Sequence, residues 1–215
     1  RISENQRSAD WKYLLPLNQD SNALVFGSGM GTIPISLAES CAKVYAIDSG
    51  WHKIVFLNKR KNQQRVKNLY PIYVNGDLNL PFFDHQFDLI TVGEFGWKEK
   101  KSFQFEDLIQ TIDNLLNVDG MLFLSLENRL GFQKFLWRKE EGVFPSLHTI
   151  VGYKRILQAK GFINVQIYAP LPFPGGTPLF YLPLDDTQAL KFFFQHIFPL
   201  FEAVSPEVKQ SYDFE

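Results

Sequence analysis

Five residues directly after the first apolar segment have the composition of a loop that binds a nucleotide-like ligand. The apolar run 23–26 is followed by residues 27–31, Gly-Ser-Gly-Met-Gly, and a helical pattern begins at Ile33. Glycines permit a tight turn and let a ligand approach the backbone, while the helix N–H groups face that ligand. The spacing differs from the Gly-x-Gly-x-x-Gly of dinucleotide-binding folds, which disfavours NAD and FAD. A plain strand-to-helix turn is the alternative for this glycine loop, residues 27–31.

Two acidic residues follow the next predicted strands. Asp48 comes directly after the second strand and Asp77 after the third. Both are expected at the carboxyl-end edge of the sheet, where ligands bind in open α/β folds. There Asp48 could accept hydrogen bonds from two ribose hydroxyls, and Asp77 from an adenine amino group. Either residue alone could be a helix cap or a turn residue, but the ordered set with the glycine loop favours a ligand site.

Apolar runs alternate with helical patterns along most of the chain, which is typical of βαβ units and a mostly parallel sheet. Strands are predicted at 23–26, 43–47, 71–74, 87–92, 121–126, 162–168 and 179–182. The clearest helix has apolar residues at helical spacing from Phe105 to Leu116, and Gly161 is predicted to cap another helix. The segment 170–178 is too rich in Pro and Gly for a helix, so the last two strands are predicted to be antiparallel neighbours.

Taken together, several segments resemble class I S-adenosylmethionine-dependent methyltransferases. Residues 23–31 are similar to the first motif of that family, Ile47-Asp48 to its second and Gly76-Asp77-Leu78 to its third. Residues 81–90 resemble the stretch before the family's fourth strand, and residues 115–122 the stretch before its fifth. The resemblance implies an α/β, Rossmann-like fold with helices on both faces. It further implies a seven-stranded, mostly parallel sheet whose last strand is antiparallel.

The resemblance also implies which residues bind the cofactor, S-adenosyl-L-methionine. The predicted cofactor-binding residues are Gly27, Ser28, Gly29, Gly31, Asp48, Ser49, Asp77, Leu78, Gly93 and Glu94. One position departs from the family pattern. The family usually has Asp or Glu two residues before the first glycine, where it helps to orient the methionine end of the cofactor, but this chain has Val25.

Three residues are candidates for catalysis on the acceptor side. Glu94 follows the fourth strand, where the family lines the acceptor pocket; a solvated loop acid is the alternative. Glu127 begins an Glu-Asn-Arg-Leu-Gly segment that resembles the "ENR.G" segment of a subgroup of bacterial small-molecule methyltransferases; an internal Glu–Arg pair is the alternative. His148 is the candidate general base because imidazole titrates near neutrality, although a structural loop His is also possible. A base is needed only where the acceptor must lose a proton.

Composition limits the partners. The formal net charge of −1 gives no global field that attracts a polyanion. The basic residues Lys53, Lys59, Arg60, Lys61, Arg65 and Lys67 are interpreted as an exposed helix face, because a nucleic-acid site would also need aromatic or base-reading groups beside them. Nucleic acid is therefore not predicted as a partner.

The remaining composition predicts a cytoplasmic protein. The single cysteine, Cys41, excludes an internal disulfide, and His and carboxylates do not cluster at ligand spacing, so no metal site is predicted. No apolar run reaches the roughly 18 residues that a membrane span requires. We predict a methyltransferase domain over residues 1–184 and a Phe-rich helical extension over 185–215, which could pack on the core, form a homodimer or precede a further domain.

The sequence therefore predicts S-adenosylmethionine-dependent methylation of a small molecule. The predicted product is an O-methyl group on a sugar, a lipid-linked or specialised metabolite, or a peptide terminus. A non-catalytic scaffold that keeps the cofactor fold is the first alternative, supported by Val25. An enzyme that uses NAD is the second, disfavoured by the glycine spacing.

Overall fold

Five short apolar segments pair in parallel to form the main sheet. The structure is a computed structural model that describes residues 6–75, 80–82, 84, 86–92, 105–126, 148–171 and 180–199. The strands of this sheet are β1 (Asn22–Phe26), β2 (Lys43–Asp48), β3 (Leu69–Tyr73), β4 (Phe87–Val92) and β5 (Leu116–Leu124). Their order is β3-β2-β1-β4-β5. β2 and β3 are added on one side of β1, and after β3 the chain returns to the other side of β1, where β4 and β5 are added. The carboxyl ends of β1, β2 and β4 therefore meet at one edge, as the sequence predicts.

Helices follow the strands as expected for βαβ units. They are α1 (Thr32–Ala38), α2 (Trp51–Gln63), α3 (Phe105–Leu115) and α4 (Ile150–Ala159), with a 3₁₀ helix at Gln6–Leu14. Leu24 and Phe26 of β1 pack in a buried cluster with α3 and with Tyr153 of α4. The alternate residues Ala23 and Val25 face the opposite side, which we assign to α1 and α2 because their buried side chains lie outside that cluster. The prediction of helices on both faces agrees with this arrangement.

The apolar stripe of α3 is confirmed. Its residues Phe105, Leu108, Ile109, Ile112 and Leu115 are all buried, and Leu116 begins β5 without an intervening loop. β5 begins at Leu116, before its predicted start at Met121, and contains an irregularity. Phe87 pairs with Leu116 and Leu89 with Met121, so residues 117–120 form a bulge opposite a single residue of β4.

The last two strands form a separate sheet. β6 (Tyr168–Leu171) and β7 (Phe180–Pro183) pair antiparallel, which confirms their predicted relation. The predicted seven-stranded sheet is wrong for the described residues, since the main sheet has five strands, all parallel. Pro170 and Pro183 remove N–H donors from this pair, which limits its pairing with a further strand.

The predicted start of the sixth strand is also wrong. Residues 162–167 are not in a strand, and β6 begins only at Tyr168. Asn164 has a φ angle of 53°, in the left-handed region, and Ile163 is exposed. A left-handed residue interrupts extended backbone, so the apolar alternation of this segment did not produce a strand.

Two compact units divide the chain. The larger is Glu4–Ile163, and β6 and β7 belong to the smaller unit, which begins at Asn164. In the smaller unit, β7 leads into α5 (Thr187–Phe192), whose first turn is capped by the Asp186 carboxylate, and α5 continues into a π-helical turn, Phe193–Ile197. The predicted division of the chain at residues 184 and 185 stays a prediction.

The packing of α3 leads to a stability prediction. We expect Ile112→Ala to lower the free energy of unfolding by about 2–5 kcal/mol, because Ile112 is fully buried between α3 and the sheet. The neighbouring Asp113 is exposed, and Asp113→Ala should change that free energy by no more than about 0.5 kcal/mol. Urea unfolding followed by circular dichroism measures both. Equal losses in the two variants would show that α3 does not bury this stripe.

Candidate functional site

The glycine loop connects β1 to α1 in a conformation that glycine adopts readily. Gly27, Gly29 and Gly31 have φ angles of 80°, 51° and 91°, all in the left-handed region. The backbone N–H groups of Gly27 and Ser28 both donate to the carbonyl oxygen of Ile47, at 2.9 and 3.2 Å. These bonds fix the loop to the carboxyl end of β2, where the second motif lies.

Gly29 and Gly31 have different surroundings. A Cβ on Gly31 would lie 2.5 Å from Cδ1 of Leu57, which is buried in α2. A Cβ on Gly29 would meet no atom within 4 Å. Gly31 is therefore needed where the loop packs against α2, whereas the space beside Gly29 is open. A ligand can approach the backbone at Gly29, as the sequence pattern predicts.

Asp48 ends β2 and is completely buried. Its Oδ2 accepts hydrogen bonds from the backbone N–H of Gly29 at 3.2 Å and from the Ser28 hydroxyl at 3.4 Å. Its Oδ1 accepts from the backbone N–H of Gly50 at 2.8 Å, and Nζ of Lys53 lies 3.5 Å away. A buried carboxylate is costly unless donors satisfy it, so these contacts hold the glycine loop and the start of α2 together.

An exposed aromatic pair lies beside Asp48. Trp51 begins α2 and is 65% exposed, and its ring meets that of Tyr73 edge-on at 5.7 Å. Tyr73 ends β3 and pairs with Asp48 in the register of the sheet. Neither residue was predicted from the sequence, although their positions shortly after the second strand and at the end of the third could have indicated them. They present flat apolar surface next to a carboxylate, which suits a ligand that has both a ring and hydroxyl groups.

Comparison with known proteins shows what part of this chain is similar to. Residues 24–124 match the family model described as a methyltransferase domain. The fold is similar to that of the YcgJ protein from Bacillus subtilis, with a TM-score of 0.61 and 15% identity, covering 80% of this chain and 78% of that one. It is also similar to a SAM-dependent methyltransferase from Aquifex aeolicus, with a TM-score of 0.55 and 17% identity, covering 78% and 85% of the two chains. Residues 24–124 are therefore similar to a methyltransferase domain, and the chain shares its fold with these two structures. The comparisons agree with the predicted resemblance to S-adenosylmethionine-dependent methyltransferases.

The curated relatives match a smaller share of this chain than the solved structures do. The ribosomal RNA small subunit methyltransferase G of Legionella pneumophila is 28% identical over 118 residues, which are 54% of this chain and 52% of the relative. A second strain of the same species gives the same identity and coverage. The chain thus spans about half the length of the curated relatives it matches.

The predicted cofactor residues within the described ranges lie together. The structure places Gly27, Ser28, Gly29, Gly31, Asp48 and Ser49 at the shared carboxyl end of β1 and β2. Other predicted residues lie outside the described ranges: Asp77, Leu78, Gly93, Glu94 and Glu127. Their roles stay predictions, as does the "ENR.G" subgroup.

Val25 occupies the family's acidic position in the interior of the sheet. It is 1% exposed and lies between Ala46 of β2 and Thr91 of β4. An apolar side chain fits this buried row without the desolvation cost that a carboxylate would carry. The Thr91 hydroxyl belongs to a buried side chain in the neighbouring strand, so some polar character is present beside Val25.

His148 lies in an aromatic environment in the larger unit. It comes just before α4, and its ring centroid is 5.4 Å from that of Tyr153 and 6.2 Å from that of Phe105, the first residue of α3. Its Nε2 is buried and has no hydrogen-bond partner. Because α3 and α4 both follow a strand, their first residues lie toward the carboxyl-end edge of the sheet. A buried, unpartnered acceptor or donor at this edge is costly and needs an explanation.

Cys41 is not a nucleophile in this structure. It is fully buried, and burial raises the pKa of its thiol to about 11, against the lowering effect of the nearby Lys12 ammonium. The thiol therefore stays protonated near neutral pH.

The described residues contain no group of three or more His, Cys, Asp or Glu side chains that could hold a metal ion. None of the helices in the described ranges combines the length and the apolar composition that crossing a bilayer requires.

The contrast between two glycines gives a prediction for the glycine loop. Gly31 and Gly161 share a φ angle of 91°, but only Gly31 has a neighbour that a Cβ would strike. Gly161→Ala should cost about 1–2 kcal/mol of unfolding free energy for the left-handed backbone. Gly31→Ala should cost about 1–3 kcal/mol more, because Leu57 must also move within the core. Thermal and urea unfolding compare the two, and equal costs would show that the loop does not pack against α2 as described.

Proposed function

We propose that this chain binds S-adenosyl-L-methionine and transfers its methyl group to an acceptor oxygen. The observation that carries this proposal is the buried Asp48 carboxylate at the end of β2, bonded to the Gly29 backbone N–H of the glycine loop. The match of residues 24–124 to a methyltransferase domain supports the same reaction. When bound, the cofactor supplies a methyl group on a positively charged sulfur.

The chemistry of the donor and acceptor groups fits such a cofactor. A carboxylate offers about four lone-pair sites, and at Asp48 two of them are held by backbone N–H groups at 2.8 and 3.2 Å. The other two contacts, with the Ser28 hydroxyl and the Lys53 ammonium, are long at 3.4 and 3.5 Å. We propose that ribose hydroxyls replace these weaker contacts while the backbone bonds persist. The open space beside Gly29 provides room for the approach.

Further residues are assigned to the cofactor by the same proposal. The exposed Trp51–Tyr73 pair provides apolar surface beside Asp48 for a ring of the cofactor. Asp77 is proposed to accept from the adenine amino group, with Ser49 and Leu78 beside it. Gly93 and Glu94 are proposed to line the methionine end, where this chain lacks the carboxylate that Val25 replaces.

The acceptor is proposed to be a small molecule or a peptide terminus. The "ENR.G" resemblance at Glu127 supports this class, and a sugar, lipid-linked or specialised metabolite would each offer a hydroxyl. Methyl transfer then needs the hydroxyl held about 3 Å from the methyl carbon and its proton removed as the bond forms. We propose that His148 accepts this proton at its unpartnered Nε2.

RNA is the second candidate acceptor. The observation that favours it is the identity of 28% to proteins named ribosomal RNA small subunit methyltransferase G. A non-catalytic scaffold is the remaining alternative, and Val25 is its support. Two measurements separate these three possibilities. The first is binding of S-adenosylhomocysteine, the product form of the cofactor, and the second is methyl transfer to small molecules or peptides compared with methyl transfer to RNA.

The role of Asp48 predicts a loss of cofactor affinity. Asp48→Asn should weaken binding of S-adenosylhomocysteine by about 10- to 100-fold, because a hydrogen bond to an ionised group contributes about 1.5–3 kcal/mol. Isothermal titration calorimetry measures the affinity, and Asp113→Asn, at an exposed position of α3, is the matched control. Thermal unfolding establishes that both variants are folded. Affinity equal to that of the parent in a folded Asp48→Asn variant would contradict the assignment.

The environment of His148 predicts that its substitution lowers methyl transfer without lowering stability. His148→Phe keeps a ring against Phe105 and Tyr153 but removes the unpartnered nitrogen, so the free energy of unfolding should be unchanged or about 1 kcal/mol higher. Transfer of tritiated methyl groups to an acceptor found by screening should fall by about 10²- to 10⁴-fold. His196→Phe, at an exposed position, serves as the control. Reduced stability with full transfer would make His148 a structural residue only.

A further inference from the structure

One face of α2 lies against the glycine loop and Asp48. The residues on it are Lys53, Leu57 and Arg60, whose spacing of four and three residues puts them on one side of a helix. Nζ of Lys53 is 3.5 Å from Oδ1 of Asp48, and Leu57 fills the space in which a Cβ on Gly31 would lie. The third residue of this face, Arg60, has no part in the function proposed above.

The Arg60 guanidinium binds the backbone of the glycine loop. Its Nη1 donates to the carbonyl oxygen of Met30 at 2.6 Å, in a partly buried contact. Met30 precedes Gly31, the N-cap of α1, so its carbonyl oxygen lies outside the hydrogen bonds of that helix. A donor that carries a full charge forms a shorter and stronger hydrogen bond than a neutral donor does. Arg60 therefore fixes an oxygen of the loop that α1 does not use.

The bond from Arg60 continues through the peptide group between Met30 and Gly31. A peptide group is planar and trans, so a bond that fixes the carbonyl oxygen of one residue also fixes the direction of the next N–H. In this group the carbonyl belongs to Met30 and the N–H to Gly31. The Gly31 N–H donates to the carbonyl oxygen of Ser28 at 2.9 Å, which closes a turn within the loop.

A second peptide group completes the connection to the buried carboxylate. The Ser28 carbonyl and the Gly29 N–H belong to the same peptide group, and this N–H donates to Oδ2 of Asp48 at 3.2 Å. One continuous chain of hydrogen bonds thus runs from the Arg60 cation to the Asp48 carboxylate. Successive hydrogen bonds in such a chain polarise one another, and here the positive end lies at the donor and the negative end at the acceptor.

We propose that Arg60 is a positioning residue for the cofactor site. Its guanidinium orders the glycine loop, and the loop holds the Asp48 carboxylate in the orientation that accepts the ribose hydroxyls. Binding groups must be held to within about 0.5 Å, and hydrogen bonds from surrounding residues do this. The role toward the cofactor rests on the proposed function, whereas the ordering of the loop does not.

This role corrects part of the interpretation of the basic residues. An exposed helix face was predicted for all six, and Lys59, Arg65 and Lys67 are exposed. The prediction is wrong for Arg60, which is half-buried because its side chain reaches the carbonyl of Met30. The contact joins residues that are 30 positions apart, so helical spacing alone does not reveal it.

The first test is the affinity for S-adenosylhomocysteine, measured by isothermal titration calorimetry. Arg60→Met keeps an unbranched apolar stem but removes the donor and the charge. It should weaken binding about 2- to 30-fold, the range for residues that influence a site without touching its ligand. Lys59→Met is the matched control, because it removes the same charge from an exposed position of the same helix and should bind as the parent does.

A second variant keeps the donor. Arg60→Lys carries a charged N–H group on a stem that is one bond shorter, so its affinity should lie between those of the parent and Arg60→Met. Thermal unfolding establishes which variants are folded, and Arg60→Lys alone carries the test if Arg60→Met does not fold. Parent-like affinity in folded Arg60→Met, or in both Arg60 variants, would overturn the proposal.

A double-mutant cycle separates positioning from a general effect on the fold. If Arg60 acts through Asp48, Arg60→Met should reduce the affinity of the Asp48→Asn variant by a much smaller factor than it reduces that of the parent. A residue that only stabilises the fold would reduce both affinities by the same factor. Equal factors in the two backgrounds would therefore overturn the proposal.

Amide hydrogen exchange without any ligand tests the loop itself. In Arg60→Met, peptides that cover residues 27–31 should exchange faster than in the parent, while peptides of α3 should keep the parent's rates. Unchanged exchange in the loop, or an equal increase in α3, would overturn the proposal. Faster exchange confined to the loop, in a chain whose parent does not bind S-adenosylhomocysteine, would support the ordering by Arg60 and contradict the proposed function.

Discussion

The buried Asp48 carboxylate is the constraint on which the site depends. A charge without solvent is tolerated only where donors surround it, and here the donors are backbone N–H groups of Gly29 and Gly50. To supply them, the glycine loop must turn with left-handed backbone and α2 must begin immediately after β2. Satisfying one carboxylate thus fixes the loop, the helix start and the end of the strand in one arrangement. The same arrangement creates a hydrogen-bonding site for hydroxyl groups.

Helix α2 connects the described features of the larger unit. Its buried Leu57 leaves no room for a side chain at Gly31, and its first residue, Trp51, provides the aromatic surface beside Asp48. Its other residues include Lys59, Arg60 and Lys61, and none of its 13 residues is acidic. A change within α2 is therefore expected to affect the glycine loop through packing and the outer surface through charge. These two effects can be separated because buried and exposed residues of the helix differ.

Much of the fold and half of the site could be predicted from sequence because their signals are local. The glycine spacing and the acid after β2 report backbone geometry, and the apolar stripe from Phe105 reports burial of α3 directly. The start of β6 was predicted too early because apolar alternation does not reveal the left-handed Asn164. Trp51 and Tyr73 were missed for another reason. They come from pairing β3 with β2 and packing it on α2, which joins residues that are distant in sequence.

The most direct measurement is amide hydrogen exchange by mass spectrometry on the parent chain, alone, with S-adenosylhomocysteine and with NAD. Binding at the glycine loop and Asp48 predicts slower exchange with S-adenosylhomocysteine in peptides that cover residues 27–31 and 49–53, and no change with NAD. The peptides of α5 in the smaller unit provide an internal reference. Protection by NAD to the same extent, or no protection by S-adenosylhomocysteine at saturating concentration, would contradict the account.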